Sequence, residues 1–350
     1  MSTLTIALAS LGGVVLAGII AHGAWQARQA DPKRAVMEPR PEPRDPVMGD
    51  AIVRAEADSH DTAELPPGPE RRASKRLVNR LDALVDSITT LAVEAPVSGT
   101  VAIAHLPATR RAGGKPFLVE GLSSETGEWE APVSTHRYGE FQAGVLLANR
   151  TGALNEIEYS EFVQKVQAFA EGIGAFAQFP DMLEVVAAAR ELDGFAGQHD
   201  AQLAVHLHAR SAAWSVGYIQ QHAGRHGFVP GVVPGRLVLP AAEEGAPPIL
   251  TLTFDSQAAL ADDPNVSAVR DVTLSFDVPQ TDPKTHPFAA WQASAQALSL
   301  GMDASIVDDH GRALSPDGFA AIGNELGQLY AALESRDLPA GSPAARRLFS

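Results

Sequence analysis

Five side chains, Tyr159, Phe162, Val166, Phe169 and Ile173, mark one face of an amphipathic helix, and 129 residues later Phe288, Trp291, Ala295, Leu298 and Met302 mark that face again. At the same offset Gln167-Ala168 meets Gln296-Ala297, Gly172 meets Gly301, and a strand pattern bearing Val145 and Leu147 meets one bearing Leu274 and Phe276. After a jump of seven residues, Pro180-Asp181-Met182-Leu183 lines up with Pro316-Asp317-Gly318-Phe319, each predicted to open a helix with proline in its first turn. The extra residues fall at Asp308-Asp309-His310-Gly311-Arg312, which read as the turn of a hairpin between 304–307 and 313–314. The pattern predicts two similar units, at 73–198 and 199–337, the first a degenerate repeat of the second. The alternative is two α+β segments sharing helical periodicity without common descent.

In the second unit the residue pattern predicts strand 201–209, helix 214–226, strands 228–239, 249–255 and 272–278, helix 287–300, the hairpin, and helix 316–334. Strand and helix interleave without regular βα alternation. The expected fold class is therefore α+β, each unit an antiparallel sheet covered by helices on one face. In the first unit Leu77, Leu81, Leu84 and Val85 have helical spacing across 74–86, and 88–93 alternates as a strand. Residues 338–350 carry Pro, Gly and Ser with Arg346 and Arg347, and read as a flexible tail.

The amino terminus sets the expected topology. Met1 to Ala27 holds no Asp, Glu, Lys or Arg, and 4–25 is apolar or small almost throughout, about the length that crosses a hydrocarbon core of roughly 30 Å. A cleaved secretory signal, the other reading, wants a basic residue ahead of the run, and none is present. Arg28, Lys33, Arg34, Arg40 and Arg44 follow the run, so the positive-inside bias puts the remainder in the cytoplasm and the amino terminus in the periplasm. Residues 1–27 are thus an expected single-pass inner-membrane anchor. Residues 28–72 contain no aromatic side chain and eight prolines, and read as a disordered, charged, Pro-rich tether.

Composition removes several function classes. A net charge of −15 opposes nucleic-acid binding, which needs clustered Lys and Arg. The absence of cysteine removes disulfides, thiolate metal sites and thiol nucleophiles. His222 and His226 lie four apart, yet Ala223 stands where a metalloprotease pattern needs Glu, and no third ligand follows. His206 and His208 share a strand face and read as exposed. Gly113-Gly114-Lys115-Pro116 lacks P-loop spacing, Ser123-Ser124 reads as a loop, and Arg110, Arg111 and Lys115 form a small basic patch. The expectation is no enzyme, with no catalytic residue, cofactor or metal.

The predicted order of elements behind a tethered membrane span resembles the ZipA family of bacterial cell-division anchors. The likeness rests on Ala201-Gln202-Leu203-Ala204-Val205-His206-Leu207, His226-Gly227-Phe228-Val229-Pro230-Gly231, Pro248-Ile249-Leu250-Thr251-Leu252 and Val272-Thr273-Leu274-Ser275-Phe276-Asp277-Val278-Pro279. It continues through Ser294-Ala295-Gln296-Ala297-Leu298 and Ile306-Val307-Asp308-Asp309-His310-Gly311-Arg312-Ala313-Leu314-Ser315-Pro316. The resemblance covers about 200–335 and the topology of 1–72. It implies an inner-membrane anchor that ties FtsZ filaments to the septum by binding the short carboxyl-terminal tail of FtsZ on an open sheet face, and that helps recruit later division proteins. The chain departs from the family in its shorter tether and in the additional unit at 73–198.

The outward positions of the second sheet are expected at Gln202 and Ala204, Val233 and Gly235, Thr253 and Asp255, and Ser275 and Asp277. They are mostly polar, whereas an apolar-anchored peptide gains about 25 cal/mol per Å² of apolar area it buries. The candidate partner-binding residues are therefore Ala204, Val233, Thr253 and Ser275, with Leu146 and Ala148 offering a less polar equivalent in the first unit or at the seam between the units. The runner-up roles are a scaffold for other septal proteins that has lost tail binding, and a periplasmic binding module if the amino terminus is cleaved.

Overall fold

A computed structural model describes residues 80–350, Glu244 excepted. The expected membrane anchor and tether, and the start of the helix expected at 74–86, lie outside the described residues. Among the described residues no helix is long and apolar enough to cross a membrane.

The chain is a mixed α+β protein with antiparallel sheets. Its first unit runs β1 (Asp86–Ser98), α1 (Gly99–His105), β2 (Arg111–Ala112), β3 (Lys115–Ser123), β4 (Trp129–Glu130) and β5 (Arg137–Leu146). The small hairpin β6 (Ala148–Asn149) and β7 (Gly152–Ala153) follows, then α2 (Glu156–Ile173), β8 (Ala175–Gln178) and α3 (Met182–His199). The strands lie in the order β2-β3-β5-β1-β8, with β4 beside β3.

The second unit runs β9 (Gln202–Ala209), α4 (Val216–Arg225), β10 (Val229–Pro230), β11 (Arg236–Leu239), β12 (Leu250–Thr253), α5 (Ser256–Ala259) and β13 (Asp271–Asp277). It ends with α6 (Pro287–Met302), β14 (Ala304–Val307) and α7 (Pro316–Glu334). Its sheet order is β10-β11-β12-β13-β9-β14. The runs β3-β5-β1-β8 and β12-β13-β9-β14 thus share one topology, with every pair antiparallel.

Each sheet buries one side under the helix that carries the stripe. On α2 the buried residues are Tyr159, Phe162, Val166, Phe169, Ala170 and Ile173; on α6 they are Pro287, Trp291, Ala295, Leu298 and Met302. Phe141 of β5 meets Phe169 edge to face at 5.6 Å, and buried Trp291 donates its indole N–H to the Leu274 carbonyl at 2.9 Å. The caps follow the same register. Helix α2 ends at Gly174 (φ 69°) and α6 at Asp303 (φ 57°), both left-handed and again 129 residues apart.

Several expectations need correction. Residues 81–85 are not helical but run through a turn at 83–85 into β1, and Leu81 lies over the sheet: a Cβ on Gly144 would come within 2.5 Å of the Leu81 Cδ2. The strand expected at 228–239 is two short strands, divided by a turn at Pro234-Gly235 with Gly235 at φ 76°. Pro180 precedes the Asp181 cap of α3 and so stands outside its first turn, whereas Pro316 does open α7.

The tail at 338–350 is docked. Ser342 caps α8 (Pro343–Leu348), and Leu338, Ala345, Leu348 and Phe349 are buried in the core of the first unit. Arg347 forms a bidentate ion pair with Asp86 at 2.6 and 2.5 Å and also donates to the Arg80 carbonyl. The chain therefore ends by crossing back from the second unit to the first.

Candidate functional site

The outward side of the second sheet is built from two rows fixed by strand register. One row runs Val238, Thr251, Ser275 and Ala204; the other runs Arg236, Thr253, Thr273, His206 and Val307. Ala204, Thr253 and Ser275, three of the residues expected there, thus share one side of the sheet, but Ser275 is buried and does not offer the accessible surface expected of it. Core residues Leu237, Leu252, Leu274 and Val205 alternate with them and point the other way. Asp277, at the end of β13, is drawn to the seam: Arg150 of the first unit pairs with it at 2.6 Å and with Asp200 at 2.6 Å. Burial pushes the Asp277 carboxyl up from its ordinary value, against the pull of Arg150.

Val233 does not join these rows. It is exposed in the turn before β11 and borders a hollow of about 580 Å³ with Pro230, Val232, Val238, Pro240 and Pro248. Because Val238 stands in the first row, the hollow opens at the edge of the same outward surface. Sequence reasoning missed it, since its far wall is the 240–248 loop; the signal was the Pro and Val content of 229–240.

Leu146 and Ala148 are fully buried, which overturns their expected role as an accessible outward surface. The physical reason is that the matching side of the first sheet is covered. Leu81 lies over Gly144, the Glu120 carboxylate accepts the Leu81 N–H at 3.1 Å, and the docked carboxyl-terminal segment lies across Asp86 and Leu146. Leu146 keeps a place at the floor of a seam cleft of about 390 Å³, with Leu118, Pro247, Pro343 and Arg346 around it.

The remaining candidates sort by geometry. His206 Nε2 lies 2.8 Å from Asp309 and its Nδ1 lies 3.0 Å from the Thr273 hydroxyl, while His208 Nδ1 lies 2.6 Å from Asp271. These pairs rim a hollow of about 480 Å³, but among the described residues no group of His, Asp and Glu has the arrangement to hold a metal ion. Asp308 accepts from the His310 and Arg312 N–H groups and the Arg312 side chain, which hold its carboxyl down at about 2 and make it a turn residue. The His222 ring lies against Tyr218 within α4, centroids 4.3 Å apart and tilted by 42°.

Lys115 is not part of a surface patch. It is buried and donates to Asn149 at 2.7 Å and Thr151 at 3.0 Å, and burial pushes its ammonium below the ordinary value. The Gly113 and Gly114 amides are taken by Glu161 and Glu158, so that loop presents no anion cradle. Ser123 caps its own turn through Thr126. Comparison with protein-family models finds no match for this chain, and comparison with curated proteins finds none either.

Proposed function

We propose that this protein is a membrane-tethered adaptor of cell division that binds the carboxyl-terminal tail of FtsZ and ties its filaments to the bacterial inner membrane. In this reading residues 4–25 span the bilayer once, the folded units lie in the cytoplasm, and the role is binding without catalysis. The observation that carries it is the outward side of the second sheet: mostly polar rows fixed by strand register, with an apolar hollow at one edge. A hollow of about 580 Å³ is of the size that receives a few side chains, since small-ligand pockets run roughly 300–1,000 Å³.

The polar rows then serve the peptide backbone, and Val232, Val233 and Val238 serve its apolar anchors. This moves the site away from Leu146 and Ala148, which the first unit buries. Attachment to a polymer multiplies such a contact by avidity, so single-site affinity need not be high.

The test is binding of the full chain in detergent micelles to a labelled FtsZ carboxyl-terminal peptide, with Val238→Asp in parallel. The expected result is saturable binding weakened at least about tenfold by Val238→Asp, which is about 1.4 kcal/mol. Silence from folded wild-type chain would sink the tail-binding reading and favour a scaffold for other septal proteins. A carboxyl-terminal reporter active only in the periplasm would sink the orientation.

A further inference from the structure

The two sheets end differently at one matching edge. In the second unit β14 is followed by a return: Val307 bridges Ala313, the Leu314 N–H donates to the Ile306 carbonyl at 3.1 Å, and the turn is locked by Asp308 and Arg312. The end of the outer edge of β14, at Ile306 and Val307, is thereby closed. The first unit lacks those seven residues, and its equivalent strand β8 pairs with β1 on one side and, among the described residues, with no strand on the other. The side chains differ in the same sense. At the position of polar Ser305 the first unit carries Phe176, which is 75% exposed.

An open edge strand bearing an exposed aromatic ring is a template for another strand, and proteins ordinarily blunt such edges with charge, proline or a covering segment. Here Gly174-Ala175-Phe176-Ala177-Gln178-Phe179 contains no charge, in a chain of net charge −15.

We propose that β8 pairs antiparallel with β8 of a second copy of this chain, joining two first-unit sheets across a two-fold axis. Self-complementarity selects the second copy as occupant. Ala175-Phe176-Ala177 reads the same in both directions, so a two-fold normal to the sheet sets Phe176 against Phe176 and Ala175 against Ala177 on the same side. The facing aromatic pair is the kind of cross-strand contact that stabilises a sheet. Four residues make a small contact, well below the roughly 1,200 Å² of a stable interface, so the dimer is weak and reversible. Glu171 and Asp181 flank the strand in both copies, so like-charge repulsion opposes the contact and added salt tightens it. This pairing is independent of any FtsZ contact.

The experiment uses the absence of native cysteine. Gln178→Cys in the full chain, spin-labelled in detergent micelles, is measured by pulsed dipolar spectroscopy over a concentration series at low and high salt. The expected result is a narrow inter-label distance of roughly 15–30 Å, from a strand spacing near 4.8 Å and about 3.3 Å per residue plus the label arms. It grows with concentration and salt, and is lost with Phe176→Lys and with Phe176→Ser, the residue type of the second unit. Phe176 is exposed, so neither change disturbs folding. A broad or absent distance, or a narrow one that survives both substitutions, overturns the proposal; a dimer held through another segment gives that outcome.

Discussion

Two sheets of one topology treat their outward sides in opposite ways. In the second unit that side is written in Thr251, Thr253, Thr273 and His206, which are half-exposed, with Ser275 buried toward the seam. In the first unit it includes Leu118, Gly144, Leu146 and Ile88, and the chain covers its upper part with Leu81 and its own last residues. A sheet packed by helices on one side leaves the other to be either polar or covered. Here the apolar outward row lies under the chain's own Leu81 and carboxyl-terminal segment, whereas the outward rows of the second sheet are mostly polar and half-exposed.

The comparison breaks most sharply under a charge placed on each side. Leu146→Asp puts a carboxylate into a fully buried site and is expected to unfold the first unit, at a cost of several kcal/mol. Thr253→Asp on the second sheet is expected to stay within about 0.5 kcal/mol, as surface changes do. Urea denaturation followed by tryptophan fluorescence reads both, and equal losses would refute the contrast.

The covering segment is tested next. Arg347→Ala strips the partner from buried Asp86, which is expected to cost about 3–5 kcal/mol because it strands a buried carboxylate. Arg346→Ala, which loses a 3.2 Å hydrogen bond to the Gln280 carbonyl and a loose 3.8 Å pair with half-exposed Glu243 but strands no buried charge, is expected to cost less, about 1–2 kcal/mol. Hydrogen exchange over 338–350 is the direct readout: fast exchange in Arg347→Ala alone supports the docked segment, and unchanged protection would refute the clamp.

A finer comparison uses the two helix caps. Gly174→Ala places a Cβ at a left-handed position and is expected to cost about 1 kcal/mol. Asp303→Gly removes that strain from the equivalent site while losing the 2.8 Å bond from the Ser211 hydroxyl, so it is expected to be near neutral. Thermal melts of the two variants check this, and a larger loss from Asp303→Gly would show that the side-chain bond outweighs the backbone.

Much of this architecture was legible because burial has a period. The stripes on α2 and α6 and the strand at 304–307 follow from local spacing, whereas the strand at 175–178 and the left-handed caps at Gly174 and Asp303 came only with the structure. The loose reading of 338–350 failed because its anchor, Asp86, lies 261 residues earlier, and no local pattern carries that contact. Leu81 and Leu84 had helical spacing, yet Leu81 is held over Gly144 by tertiary packing. Of the outward side of the second sheet, the period-2 alternation placed Ala204, Thr253 and Ser275 together, while Val233 was misplaced because Pro234-Gly235 ends the strand pattern before β11.

The smallest effect separates the units by pH. His136 Nδ1 lies against the Glu130 carboxylate, and that hydrogen bond raises the imidazole above its ordinary 6.5. Glu130 is also bonded by the Tyr138 hydroxyl, which in turn accepts the Val133 N–H, so the pair fastens the 129–138 segment of the first unit. A histidine whose folded value is raised binds its proton more tightly when folded. Its contribution is therefore complete below 6.5 and is lost as pH rises through the raised folded value. The expected outcome is a shallow decline in first-unit stability over that window, absent in His136→Asn, with the His136 ring resonance titrating above 6.5 in NMR. A resonance titrating at or below 6.5 would remove the pair as the source of any such decline.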